Sequence, residues 1–140
     1  LEIFGELQYA ASKAVNLGVN MSYFSYTADF FDHAWNLPEL TASVFADADF
    51  TEKFYGGLRL FYVGERKDFN SEGMLSLTNP MIVTLDGFVD LNVELGYRIN
   101  NRLSVFLKGN NLIGDNYLRW QNYPVQGIQV LGGATYKFDW

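Results

Sequence analysis

Three groups of side chains in this 140-residue chain have the types and spacing that site chemistry would need. Asp29, Asp32 and His33 crowd into one stretch and offer two carboxylates and an imidazole to a metal ion. One histidine beside two loop carboxylates is also what solvated surface looks like, and His33 is the single histidine, so no multi-histidine cluster can form. Asp47, Asp49 and Glu52 could hold a cation, but an alternation that puts acids on the polar face of a strand explains them without a ligand. Glu94 and Arg98 could be an acid/base pair, and rungs of a charge ladder are the better reading. There is no Ser/His/Asp set, no phosphate-cradling glycine loop and no zinc spacing. With no Cys there is also no thiolate site and no disulfide. The expectation is a protein that is not an enzyme, with no catalytic, metal or cofactor residues. Trp35, Arg119, Trp120 and Tyr123 fall in long connections, where they either contact a ligand or pack the loops.

The elements that must position these residues are strands. From Val89 to Ile99, Val89, Leu91, Val93, Leu95, Tyr97 and Ile99 alternate with Asp90, Asn92, Glu94, Gly96 and Arg98. Such a period puts every apolar side chain on one face. From Ile128 to Trp140 the pattern repeats, with Ile128, Val130, Gly132, Ala134, Tyr136, Phe138 and Trp140 on one side. Weaker copies begin near Ile3, Leu17, Leu40, Leu58 and Leu103, giving about seven strands. The connections alternate in length. Those at Ala11–Asn16, Thr51–Phe54 and Asn100–Asn101 are short, whereas those around Ala28–Glu39, Gly64–Thr84 and Gly114–Gly127 are long. Outer-membrane barrels have this asymmetry between turns and loops.

Composition agrees with a β architecture. Aromatic residues make up 17% of the chain beside 13 Gly and 3 Pro, which suits strands and turns rather than helices. At 49% hydrophobic and 19% charged it is too apolar for a disordered tail, and no apolar run is long enough for a spanning helix. A net charge of -6 disfavours nucleic acid as a partner. Tyr23, Tyr62, Tyr97, Tyr136, Phe138 and Trp140 lie on apolar faces near strand ends, as interface girdles do. The polar faces carry Glu2, Glu6, Asp47, Asp49, Arg59, Asp90, Glu94, Arg98, Lys108, Lys137 and Asp139, more charge than a small filled barrel could bury unpaired. A wide or plugged lumen accommodates them. Parity adds that seven strands leave the two chain ends on opposite sides, whereas bacterial single-chain barrels have even strand numbers, so at least one strand is expected elsewhere.

The stretch LSVFLKGNNLIGDNYLRWQNYPVQGIQVLGGATYKFDW resembles the C-terminus of TonB-dependent receptors, particularly those of Bacteroidetes style. The resemblance is carried by Asn111, Leu112, Ile113, Gly114, Asp115, Asn116 and Tyr117, by Tyr123, Pro124 and Gly127, and by the aromatic ending Tyr136 to Trp140. Asn111, Leu112, Gly114 and Tyr117 are the matching motif positions. The resemblance implies that residues 1–140 are the C-terminal part of an antiparallel transmembrane barrel of about 22 strands. It also implies an N-terminal plug, energy supplied through TonB, and import of a scarce nutrient such as a siderophore, vitamin or glycan. Val130, Ala134, Tyr136, Phe138 and Trp140 would then be the terminal signal read by the barrel-assembly machinery, and outer-membrane lipid would cover the apolar face. Two rivals stay open: a structural or assembly barrel that transports nothing, and a soluble lipocalin-like barrel, which needs the apolar face inside.

Overall fold

Alternation forces the architecture. Each strand that carries apolar residues at every second position must pair with neighbours in a register that keeps those positions on one side, since a slip of one residue would turn the whole set over. The computed structural model, which describes residues 1–27, 34–70 and 82–138, obeys this across a seven-stranded antiparallel sheet. Its strands in spatial order are β1 (Glu2–Ser12), β2 (Val15–Phe24), β3 (Leu40–Asp49), β4 (Phe54–Val63), β7 (Phe88–Arg98), β8 (Leu103–Asn110) and β11 (Gln129–Tyr136). The expected strands are all present. β1 and β11 form the two edges of the sheet.

Registers carry one apolar face from edge to edge. Leu7 lies opposite Val19, Val19 opposite Val44, Val44 opposite Leu60 and Leu60 opposite Leu91. Beyond β7, Leu95 faces Leu107, and Val105 faces Ala134. Leu91, Val93, Leu95, Val105, Leu107, Val130 and Ala134 thus share one side. Many residues of this side are well exposed, Val44 at 43% and Leu107 at 52%, so the face has nothing packed on it. Among the described residues the buried hydrophobic side chains are only Leu85 and Phe88, both next to the loops. This is a wall with two surfaces and no interior of its own.

Short turns all fall at one end of the strands and long connections at the other. Leu1 donates from its amino group to the Ser25 carbonyl on the long side, as parity requires. Tyr23 and Tyr62 cap the apolar face on the long-loop side, and Tyr97 and Tyr136 cap it on the short-turn side. Tyr62 lies opposite Val89, eight residues before Tyr97. That span is about 26 Å along the strand, or about 20 Å after a tilt of about 40°, close to the apolar band of an outer-membrane barrel.

Several boundaries differ from the sequence reading. The last strand is eight residues rather than thirteen: its ladder with β8 ends where Tyr136 lies opposite Leu103, and past that point the Lys137 amide bonds the Arg102 carbonyl of the short turn. Phe138 still packs its ring on Tyr136, at 4.8 Å between centroids. Trp140 and Asp139 lie outside the described residues. Ile99 lies past the end of β7 rather than within it, and the first turn tightens to Lys13 and Ala14. Two of the long connections hold hairpins of their own, β5 (Arg66–Phe69) with β6 (Ile82–Leu85) and β9 (Leu118–Trp120) with β10 (Tyr123–Pro124).

The polar face has a packing rule that alternation alone does not predict. Gly18, Gly96 and Gly133 sit under the rings of Phe45, Tyr55 and Phe106, and a Cβ at any of the three would collide with ring carbons. Each ring fills a notch left by a cross-strand glycine, the device by which large rings lie flat on a sheet. We therefore expect Gly18→Val in the complete protein to cost about 1–3 kcal/mol through overpacking against Phe45. The same substitution in a Phe45→Ala background should cost less than about 0.5 kcal/mol, because the ring it strikes is gone. Urea titration of the folded, heat-modifiable band measures both; equal effects would disprove the notch.

Candidate functional site

A charge ladder occupies the polar face around these notches. Arg59 forks onto Asp47 at 2.8 and 2.9 Å, Arg98 reaches Asp49 at 2.8 Å, and Lys108 reaches Glu94 at 2.9 Å. Each cation also lies over one of the notch-filling rings, Arg59 on Phe45, Arg98 on Tyr55 and Lys108 on Phe106, at 4.5–5.3 Å. The unit glycine, ring, cation, carboxylate therefore occurs three times. The paired side chains are 36–49% exposed, so each pair contributes roughly 0.2–1 kcal/mol. Their main effect is to line a concavity of about 440 Å³ with balanced charge.

This arrangement decides two expectations. The carboxylates of Asp47 and Asp49 already hold guanidinium groups, while Glu52 accepts from Arg98 through its backbone carbonyl, so the three acids do not converge on a cation. No group of three potential ligands occurs among the described residues. Glu94 and Arg98 do not pair with each other; Glu94 bonds Lys108 on the neighbouring β8, and Arg98 reaches across β4 to Asp49 on β3. Asp29, Asp32 and His33 lie outside the described residues.

At the long-loop edge, Arg66 ties three connections together. It is 5% exposed and donates to the Asn36 side chain at 2.9 Å, to the Asp86 carbonyl, and to the carbonyls of Leu118 and Arg119. A planar guanidinium can serve several acceptors at once, which an ammonium cannot do in the same geometry. Burial pulls its pKa below the ordinary value, while Asp68 and Tyr117 act in the opposite direction. The guanidinium lies over Phe88 at 5.3 Å, and Phe88 stacks on Tyr117 at 3.6 Å with rings nearly parallel. The Tyr117 hydroxyl donates to Asp90 at 2.9 Å, which joins the loops to the polar face of β7. A second tie runs from the Gln121 amide to Asp68 at 2.6 Å.

The motif positions explain themselves in this setting. Asn111 follows β8 with φ 50° and Gly114 has φ 74°, so the chain reverses through two left-handed residues of the types that tolerate them. The Gly114 amide donates to the Asn111 carbonyl, and the Asn111 side-chain amide donates to the carbonyls of Asp115 and Gln126. Leu112 lies over Gly109, and Tyr117 is the stacked ring described above. Of the loop aromatics, Trp35 packs edge-on against Phe69 beside β5, whereas Trp120 and Tyr123 flank the Gln121–Asn122 turn with rings 6.4 Å apart and nearly perpendicular. Arg119 contributes its carbonyl to Arg66. Sequence reasoning passed over Arg66, Asn36 and Phe88, because nothing local marks a loop arginine whose partners lie 20 to 53 residues away.

A family model described as "TonB dependent receptor-like, beta-barrel" matches residues 1–112. The chain superposes on the siderophore receptor PirA from Acinetobacter baumannii with a TM-score of 0.80 and 16% identity, covering 96% of this chain and 21% of that one. It superposes on the ferric-catecholate import receptor Fiu from Escherichia coli K12 with a TM-score of 0.75 and 20% identity, covering 95% and 20%. The ferripyoverdine receptor of Pseudomonas aeruginosa gives 0.78 and 12%, covering 96% and 19%. The chain spans about a fifth of the length of these structures. No curated protein sequence matches it.

The loop tie makes a pH prediction. Desolvation, reinforced by the hydrogen bond to Asp90, pushes the Tyr117 phenol up to about 12 from 10.0. The folded state holds the neutral form, so this contribution is complete below pH 10 and fades as pH rises from about 10 towards 12. In a 295 nm difference titration of the folded complete protein against Tyr117→Phe, the step lost should lie well above pH 10; loss of a step at the ordinary phenol value would refute the assignment.

Proposed function

The chain belongs to the TonB-dependent receptor-like β-barrel family of outer-membrane proteins, and from that premise we propose that it is a wall segment of a receptor that imports a scarce nutrient. The observation that carries this reading is the division of the sheet, one unbroken apolar face backed by a charged, notched polar face. In a bilayer the backbone must be satisfied within a closed barrel, which places the apolar face against lipid and the polar face in the lumen. A soluble lipocalin-like barrel needs the opposite, yet the concavity here is lined by Asp47, Arg59, Glu94 and Lys108. The long-loop edge becomes the outer mouth, and a plug elsewhere in the receptor would couple the pore to TonB.

Within that reading, residues 1–140 form the C-terminal part of the barrel, of the Bacteroidetes type that the Asn111–Tyr117 run resembles. Val130, Ala134 and Tyr136 share the apolar face of β11, and with Phe138 and Trp140 they make the terminal signal that the barrel-assembly machinery would take by strand addition. Siderophore, vitamin and glycan are the nutrient classes in question.

Two measurements test the proposal in the full-length receptor. Val93→Arg should destabilise the folded barrel by about 2–4 kcal/mol if Val93 lies near mid-membrane, while Ser43→Arg on the polar face should be tolerated. Equal tolerance of both would remove the lipid assignment. Changing Phe138 and Trp140 together to Ala should lower the heat-modifiable folded fraction in outer membranes, and unchanged insertion would leave these rings as girdle residues only.

A further inference from the structure

The hairpin β9–β10 holds two large rings in solvent. Trp120 is 51% and Tyr123 67% exposed, although Trp120 stands on the most firmly tied segment of the mouth. The carbonyls of Leu118 and Arg119 are gripped by Arg66, the Gln121 amide by Asp68, and Asn122 closes the turn with φ 67°. The rings are therefore presented by a fixed scaffold, a low-entropy arrangement for binding. They separate two recesses of about 390 and 660 Å³, both lined by Trp120 and Tyr123. The smaller recess includes Asp90, Asn110 and Gln129 of the polar face, so it opens towards the barrel mouth.

The lining chooses the ligand chemistry. Asp68 and Asp90 stand against Arg119, and among the described residues no lysine borders either recess. Both carboxylates are already engaged, Asp68 by backbone amides of Phe69 and Gln121, and Asp90 by Tyr117 and Asn92. One cation against two acids does not attract an anionic ligand. The remaining polar groups are mostly primary amides, Asn110, Gln121, Asn122, Gln126 and Gln129; Gln121 donates to Asn122 and Gln129 to Gln126, which leaves each amide further capacity to donate or accept. Hydroxyl groups have the same dual character, and the C–H faces of a pyranose ring suit exposed indole and phenol rings.

We infer that Trp120 and Tyr123 form a two-sided platform at the mouth for a neutral oligosaccharide. This rests on the reading of the chain as a receptor wall and names the substrate class of its mouth. The complete protein in detergent is applied to a printed array of neutral and acidic glycans, with ferric tricatecholate as a separate competitor followed by tryptophan quenching. Binding should favour neutral oligosaccharides, fall about tenfold or more in Trp120→Ala, and largely survive in Trp120→Phe, with heat-modifiable folding unchanged. Binding restricted to acidic glycans or to the ferric complex, no neutral glycan bound by folded protein, or an unaffected Trp120→Ala would each overturn the inference. None of these outcomes touches the barrel reading, which stands or falls on Val93→Arg.

Discussion

The ladder of main-chain hydrogen bonds from β1 to β11 is the constraint on which the rest depends. Every strand offers its amide and carbonyl groups to two sides, and in a membrane no water would satisfy those left over. Pairing must therefore continue from strand to strand, and pairing fixes register. Once Val44 is opposite Val19 and Leu60, all alternate residues of three strands are committed to one face. The same registers set Gly18 opposite Phe45, Tyr55 opposite Gly96, and Phe106 opposite Gly133. The notches on the polar face are thus consequences of the apolar face, since a strand cannot slip to escape a bad contact on one side without exposing polar residues on the other.

On the polar side the repeated unit resolves a conflict between charge and wall. A lumen needs wettable groups, yet a sheet needs neighbouring side chains that do not repel. Rings seated on glycines supply flat surfaces, guanidinium and ammonium groups lie across them, and carboxylates from strands one or two places away neutralise them. Each half-exposed pair adds little stability. Cation–π contact and ion pairing together hold each cation against the wall, where it does not obstruct the space beside it.

How far the sequence discloses this differs between levels. Alternation in Val89–Arg98 is visible because its period belongs to one strand, and the structure keeps those faces. The final strand looks longer in sequence than it is, since the length of a strand depends on its partner and β8 starts at Leu103. The hairpin β5–β6 escapes notice because Arg66, Lys67 and Asp68 show no alternation of hydrophobicity. The Arg66 tie escapes for a stronger reason: its acceptors are mostly backbone carbonyls, which every residue owns. The family resemblance was legible in the last forty residues, whereas the family model matches residues 1–112, so the two signals overlap only from Leu103 to Leu112.

The mouth and the wall meet on β7. Phe88 and Asp90 point to the polar face and hold Tyr117 by its ring and its hydroxyl, while Asn92, two residues further, accepts the Asn111 amide at the start of the last loop. Three successive polar-face positions of one strand thus anchor the segment that carries Trp120 and Tyr123. β7 is paired on both sides, with β4 and β8, and it is among the longest strands of the sheet. A loop cluster fastened there inherits the rigidity of the ladder. That placement reconciles the two demands on the mouth, which has to expose apolar rings to a ligand and yet keep them in one position.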